Sequence, residues 1–385
     1  MPGFTFLSVP RIVAETGGLD RLGTLMAGLG ARRVAIVCDR GIVEGGLAAR
    51  ARSALTAAGL TARVLDGVQA DPPVAVVRAT LAAARDFAAD GVVGLGGGSS
   101  LDTAKLVALL LRSDQAIEDL YGQDKARGQR VPLIQVPTTA GTGSEVTWAS
   151  VVTSERNEKQ AIYAPQLLPD IALLDAGLTL GMPPRVTAAT GLDAMVHAIE
   201  AYTSRTRKNP VSDALAVKAL ALLGGNLRRV VADGTDLQAR EAMLEGAMLA
   251  GMAFVNASVA AVHALSYPLG ARFHVPHGHS NALVMGPVFR FNLPAAAQAY
   301  AELAPCLLPG RRFASAGEAA EAFVATLEEL VGSVGLETRM SQLGVAETDL
   351  PGMAEEVVGG LQRLLANNPR DMAREDVVAM YRAVL

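Results

Sequence analysis

The sequence predicts an α/β domain built on a parallel sheet over residues 1–180, followed by an all-α domain over residues 181–385, with a cleft between them. Three observations carry this expectation. Short apolar runs rich in Val, Ile and Leu recur through the first half, at Arg32–Asp39, Ala62–Gly67, Gly91–Gly97, Val131–Pro137 and Asp170–Asp175. Ala- and Leu-rich segments of helical period separate most of them, an alternation that winds helices around parallel strands. Beyond Pro183 and Pro184 the texture changes to long helical patterns such as AATGLDAMVHAIEAY and DALAVKALALL.

Composition sets the outer limits. With 385 residues, half of them apolar, the chain can bury two sizeable cores. A formal charge of −4 and a pI near 5.8 give no basic footprint, so nucleic acid and anionic membrane surfaces are not expected partners. MPGFTFLSVPRIVAE lacks the basic start, apolar centre and cleavage site of a secretory leader, which predicts a cytoplasmic protein. Cys38 and Cys306 are too few for a disulfide framework or a thiolate zinc site. Any metal must therefore be held by His and carboxylate.

Following the chain, the first strong strand ends at Asp39. A carboxylate there can accept hydrogen bonds from a ribose 2′-OH and repel a 2′-phosphate, favouring NAD over NADP, though the same residue can also cap a helix. The third run ends in Gly96, Gly97 and Gly98 and turns into a helix, with Ser99 expected at the N-cap. Glycines let a phosphate approach the backbone, and the free N–H groups and dipole of a helix start favour its negative charge. The fourth run leads into PTTAGTGSE, Pro137–Glu145, which crowds hydroxyls at the carboxyl end of a parallel strand, where open α/β sheets bind ligands. Residues 1–180 thus read as a Rossmann-like dinucleotide-binding domain.

In the second half, GLDAMVHAIEAY sets Asp193 and His197 four apart on one helix face. Burying that pair among apolar neighbours is costly unless something satisfies it, and a metal ion would. His263 and, fourteen residues later, His277 complete an Asp-His₃ set suited to Fe²⁺ or Zn²⁺. His274 and His279 flank His277 and read as packing or supporting residues. Gly246–Gly270 carries no charged residue, but it is Ala- and Gly-rich and holds Asn256, Ser258, His263, Ser266 and Pro268. It reads as a helix buried in a globular domain rather than a membrane span.

GGGSSLDTAK, PTTAGTGSE, GLDAMVHAIEAY and HALSYPLGARFHVPHGHSNAL together resemble the iron-containing (group III) alcohol dehydrogenase family, in order and over essentially the whole chain. The resemblance implies an NAD-dependent oxidoreductase interconverting a small primary alcohol or diol and its aldehyde by hydride transfer. The cofactors it implies are NAD and Fe²⁺, with Zn²⁺ or another divalent ion as alternatives. It carries the metal ligands onto Asp193, His197, His263 and His277. Cofactor contacts fall on Asp39, Asp71, Gly97, Gly98, Ser99, Asp102, Thr138, Thr139 and Lys159, and Phe254 lines the substrate pocket. A homo-oligomer, a dimer or larger, is also implied.

One position departs from the family pattern. Many members carry a His four residues after the third ligand, and this chain has Tyr267. With an ordinary pKa near 10 a tyrosine is the poorer proton shuttle, so Tyr267, His274 and bound water all stand as candidate proton donors, Tyr267 and His274 joining the metal-ligating His263 and His277 as the expected catalytic residues. A lyase resembling dehydroquinate synthase would need a strongly basic pocket, and His263–Asn281 supplies only Arg272. A glycerol-dehydrogenase-like polyol enzyme and a non-catalytic NAD or metal sensor are the remaining alternatives.

Overall fold

The residues described in the computed structural model are 3–156 and 158–385, and they form two compact units, Leu7–Gly181 and Met182–Leu385, the latter with the segment ending at Phe6. The first contains nine strands among the described residues: β1 (Arg11–Ala14), β2 (Arg33–Asp39), β3 (Thr61–Val68), β4 (Gly91–Gly96), β5 (Gly122–Gln123), β6 (Leu133–Pro137), β7 (Ala149–Thr153), β8 (Lys159–Tyr163) and β9 (Ile171–Leu174). Six make one sheet in the order β1-β9-β6-β4-β2-β3, every pairing parallel.

Alternation of side chains explains why the inner strands β2, β4, β6 and β9 are apolar on both faces. Val34, Ile36 and Cys38 of β2 pack on one side with helices α1 (Leu22–Gly28) and α3 (Leu47–Ala57). Ala35 and Val37 face the other side, with α4 (Val74–Asp86) and α5 (Gly98–Leu110). Between β2 and α3 lies the short α2 (Arg40–Glu44). Period-two burial with both faces covered is the signature of a doubly wound sheet.

The strand order also places the ligand end. From β2 the chain moves outward to β3, then returns to β4 on the other side of β2 and continues outward through β6 and β9. The reversal falls between β2 and β4, and open parallel sheets bind ligands at the carboxyl ends of such a pair. Those ends are Asp39 and Gly96.

Three features were not anticipated. The edge strand β1 is one. A second is the small sheet β5-β8-β7, whose β7–β8 pair is antiparallel; these strands are short, and KQAIY has little apolar run to read. The third is the glycine turn, where the helix N-cap is Gly97 rather than Ser99, with no side-chain cap bond. Ser99 lies inside the first turn of α5, so the expected side-chain cap is replaced by bare glycine backbone.

The second unit is helical: α6 (Pro184–Tyr202), α7 (Pro210–Ala232), α8 (Leu237–Ala257), α9 (Ala261–Phe273), α10 (His277–Leu307), α11 (Ala316–Ser333), α12 (Leu350–Gly360), α13 (Gln362–Asn367) and α14 (Arg374–Ala383). Helix α6 is buried nearly all round by α7, α8 and α10, which is why its pattern is apolar without a polar stripe. Gly246–Gly270 is two helices rather than one. The end of α8 and most of α9 meet at Ser258–Ala260 with a bend of 105°. No single described helix is long and apolar enough to cross a membrane.

Candidate cofactor and metal sites, and the family they belong to

In the first unit the glycine turn is a steric necessity. Gly96 has φ +143°, and a Cβ there would lie 2.8 Å from Ser100 Oγ; only glycine fits such a backbone comfortably. Gly97 and Gly98 then open α5, whose first N–H groups carry no side-chain cap. Asp39 stands across the switch point. Its Oδ1 accepts from the Ile42 N–H at 3.2 Å, capping α2, and its Oδ2 accepts from Ser100 Oγ at 3.4 Å. The cap therefore uses one oxygen of the carboxylate and leaves the other on the Ser100 side.

Thr138 follows β6 and donates its N–H to Gly96 O at 3.0 Å, which ties the hydroxyl-rich loop to the glycine turn. Thr139 borders Gly97, with its Cγ2 3.4 Å from where a Cβ on that glycine would be. A second group gathers at the rim: Ser99 Oγ accepts from the Asp71 N–H at 3.2 Å, and Lys159 Nζ donates to Asp71 Oδ1 at 2.7 Å. Asp71, Ser99 and Lys159 are thus brought together.

Asp102 is turned elsewhere. Its Oδ1 accepts from Ser144 Oγ at 2.5 Å and its Oδ2 from the Val151 N–H at 2.8 Å. Beside it Lys105, fully buried, donates to Ser144 Oγ (2.8 Å), Thr147 Oγ1 (3.0 Å) and Ala149 O (2.6 Å). Every ammonium hydrogen has an acceptor, which is how a buried lysine is tolerated. Sequence reasoning missed this knot between α5 and the Thr138–Glu145 loop; Lys105 closes the GGGSSLDTAK motif, but its role depends on a fold that joins positions 40 residues apart. Burial pushes the neighbouring Glu145 carboxyl up to about 7, with its own backbone N–H and Lys105 acting the other way.

In the second unit the four predicted ligands converge. Asp193 Oδ1 lies 3.8 Å from His197 Nε2, 3.8 Å from His263 Nε2 and 3.6 Å from His277 Nε2, and one donor atom from each residue falls within 4.8 Å of all the others. Asp193 and His197 come from adjacent turns of α6, His263 from the first turn of α9 and His277 from the start of α10. Gly278 allows the last of these. A Cβ there would sit 2.2 Å from Ala189 O and 3.2 Å from Asp193 Cβ, so α10 approaches α6 backbone to backbone.

The donor set fits a divalent cation. Atoms bonded ~2.1 Å from one ion stand ~3.0–3.4 Å apart at octahedral or tetrahedral angles, so the 3.6–3.8 Å from Asp193 Oδ1 to the three imidazole nitrogens leaves the set a few tenths of an ångström wider than a bound ion would draw it. Burial alone would raise the Asp193 carboxyl, but His197, His277, His263 and the Asn281 N–H hold it below its ordinary value. Asn281 Nδ2 donates to Asp193 Oδ1 at 2.7 Å and lies 3.2 Å from His263 Nε2 and 3.3 Å from His277 Nε2. Its own Oδ1 is buried with no hydrogen-bond partner among the described residues. Acceptor atoms converging on one buried point are what a cation satisfies.

Around the cluster, Phe254 stacks on His197 with ring centroids 4.2 Å apart, and the Tyr267 ring stands 6.0 Å from that of His277. His277 is 32% exposed where the other three are nearly closed off, so the cluster opens on that side. His274 is exposed and left-handed (φ 54°) at the C-cap of α9. His279 Nε2 donates to Glu337 O at 3.0 Å, a packing role. Two residues escaped the sequence reading, Asn281 and Glu200. Glu200 Oε2 lies 2.6 Å from His263 Nδ1; its spacing of seven from Asp193, on the same helix face, was the available signal.

Comparison with known proteins agrees with this architecture. Residues 10–176 match the family model described as iron-containing alcohol dehydrogenase, and 187–385 that of the Fe-containing alcohol dehydrogenase family, C-terminal. The chain is 40% identical to long-chain-alcohol dehydrogenase 1 of Geobacillus thermodenitrificans, over 98% of this chain and 97% of that one. Its fold superposes on a crystal structure of 1,3-propanediol oxidoreductase with a TM-score of 0.95 and 34% identity, covering both chains fully. A sulfoacetaldehyde reductase from Bifidobacterium kashiwanohense in complex with NAD⁺ matches with a TM-score of 0.90 and 28% identity, over 100% of this chain and 99% of that one. The chain belongs to the iron-containing alcohol dehydrogenase family, a group of metal-dependent, NAD(H)-linked oxidoreductases.

Proposed function

We propose that Asp193, His197, His263 and His277 hold one divalent cation, that Asp39, the Gly97–Ser99 turn, Thr138, Thr139 and the Asp71–Lys159 pair engage NAD, and that the enzyme interconverts a small primary alcohol or diol with its aldehyde. The observation that carries the reading is one buried carboxylate oxygen facing three imidazole Nε2 atoms at 3.6–3.8 Å. When bound, the cation supplies Lewis acidity at the substrate oxygen and the nicotinamide exchanges a hydride with the carbinol carbon. In balance, alcohol and NAD⁺ give aldehyde, NADH and one proton.

The chain's own residues do the placing. Asp193 offsets one unit of positive charge, and Phe254, stacked on His197, gives the cluster an apolar wall suited to a small carbon chain. In the nucleotide-binding unit, Asp102 anchors the loop that carries Thr138 and Thr139, through Ser144 Oγ and the Val151 N–H. For the proton, Tyr267 is favoured over His274, since its ring borders His277 whereas His274 ends a helix in solvent. An NAD-linked reaction draws on the cytoplasmic nucleotide pool, and family likeness supports a homo-oligomer, which light scattering tests. Metal-reconstituted protein should produce NADH from a panel of primary alcohols and diols; no turnover with any of them would refute the proposal.

A further inference from the structure

We infer that Glu200 is the positioning residue of the metal cluster: one buried carboxylate fixes His263 as its Nδ1–H tautomer, so that the Nε2 lone pair faces Asp193, and also closes the α8–α9 bend that carries His263. The inference rests on the cation site proposed above and names the group that sets its geometry.

Glu200 is 2% exposed and sits on α6 one turn beyond His197. Its Oε2 accepts from the Ala260 N–H at 2.8 Å and meets His263 Nδ1 at 2.6 Å, while its Oε1 accepts from the Val262 N–H at 2.7 Å. A backbone N–H can only donate, so both oxygens are committed as acceptors and the imidazole is left to supply the proton at Nδ1. The opposite ring nitrogen agrees. Asn281 Nδ2 lies 3.2 Å from His263 Nε2, a contact an unprotonated nitrogen can accept, though the two amide hydrogens are shared with Asp193 Oδ1 and His277 Nε2. A carboxylate on the far side of a ligating imidazole both orients the ring and raises its basicity.

The same carboxylate does a second job. The N-terminal N–H groups of a helix have no intrahelical partner, and the N-cap of α9 is Ala260, which has no side chain able to cap. Just before it, Ser258 adopts φ 71°, ψ 155°, a conformation essentially reserved for glycine, so the link must be held by its surroundings. It is pinned from both sides. Asn367 Nδ2 reaches the carbonyls of Ala257, Ser258 and Val259 at 3.2–3.4 Å, Ser204 Oγ donates to Ala257 O at 2.7 Å, and Glu200 takes the N–H groups beyond. His263 is the third residue of the helix so fixed.

The test uses the whole chain and two readouts. In metal-free protein with ¹⁵N-labelled imidazoles, His263 assigned by His263→Ala, long-range ¹H–¹⁵N NMR should show the proton on Nδ1; a proton on Nε2 overturns the inference without recourse to any Glu200 variant. Glu200→Gln is nearly isosteric, but whichever way its amide turns, an NH₂ group confronts a backbone N–H. Zn²⁺ affinity, measured by chelator competition, should fall about 10–100-fold with NAD affinity unchanged; affinity within about twofold of wild type would overturn it. Wild-type protein that binds no Zn²⁺ counts against the cation site itself, and the tautomer then still decides the role of Glu200.

Discussion

Gly278 meets Ala189 with no room for a methyl group: a Cβ on the glycine would lie 2.2 Å from the Ala189 carbonyl oxygen, which is backbone and cannot swing aside. His277 is the neighbouring residue, so the reach of the fourth proposed ligand depends on this contact. Gly278→Ala should push α10 off α6, cost about 1–3 kcal/mol of stability and weaken metal binding more than tenfold. Thermal unfolding and chelator competition measure the two effects; unchanged metal affinity would show that His277 does not depend on the close approach.

Asp39 uses one oxygen to cap α2 and leaves the other at the switch point, 3.4 Å from Ser100 Oγ. Asp39→Gly removes the carboxylate at a position where glycine is itself an acceptable N-cap, so the stability loss should be only a few tenths of a kcal/mol. The NAD/NADP ratio in kcat/KM should fall at least about tenfold, the equivalent of ~1.4 kcal/mol. An unchanged ratio would refute the role given to Asp39.

Glu145 gives a pH signature. Its carboxyl titrates at about 7 in the fold, against an ordinary 4.5. The folded state therefore binds the proton more tightly than the unfolded one, and the group's contribution to stability is full below about 4.5 and lost as pH rises through 7. Glu145→Gln removes that dependence. Comparing urea unfolding of the two proteins at pH 5 and pH 8, wild type should lose stability relative to the variant by an amount on the order of 3 kcal/mol. Parallel curves across that window would contradict the assignment.

How much of this was legible beforehand follows from the kind of signal involved. Strands β2, β4, β6 and β9 announce themselves because both faces are buried, which makes each a nearly continuous apolar run such as VAIVC, whereas β3 is half-exposed and shows only its Val64–Leu65 pair. By contrast β1 and β8 are only partly buried, so their residues carry no such mark. Asp193 and His197 were readable because one helix sets them a turn apart, and His263 and His277 because histidine is scarce in this chain. Glu200, Asn281 and Lys105 were not, since each depends on partners that lie as far as 63, 88 and 44 residues away respectively. The bend at Ser258–Ala260 was hidden for a related reason: the side chains that hold it, from Ser204, Glu200 and Asn367, lie far off in sequence and leave no proline or glycine at the break.

In the proposed function, NAD-linked alcohol oxidation requires one divalent cation on Asp193, His197, His263 and His277. The most direct measurement is metal stoichiometry and turnover of anaerobically reconstituted wild type beside His263→Ala, with NADH binding measured in both. Wild type should hold one ion per chain and form NADH with alcohol, and the variant should show neither ion nor turnover while still binding NADH. A variant that kept wild-type metal content and activity would contradict it.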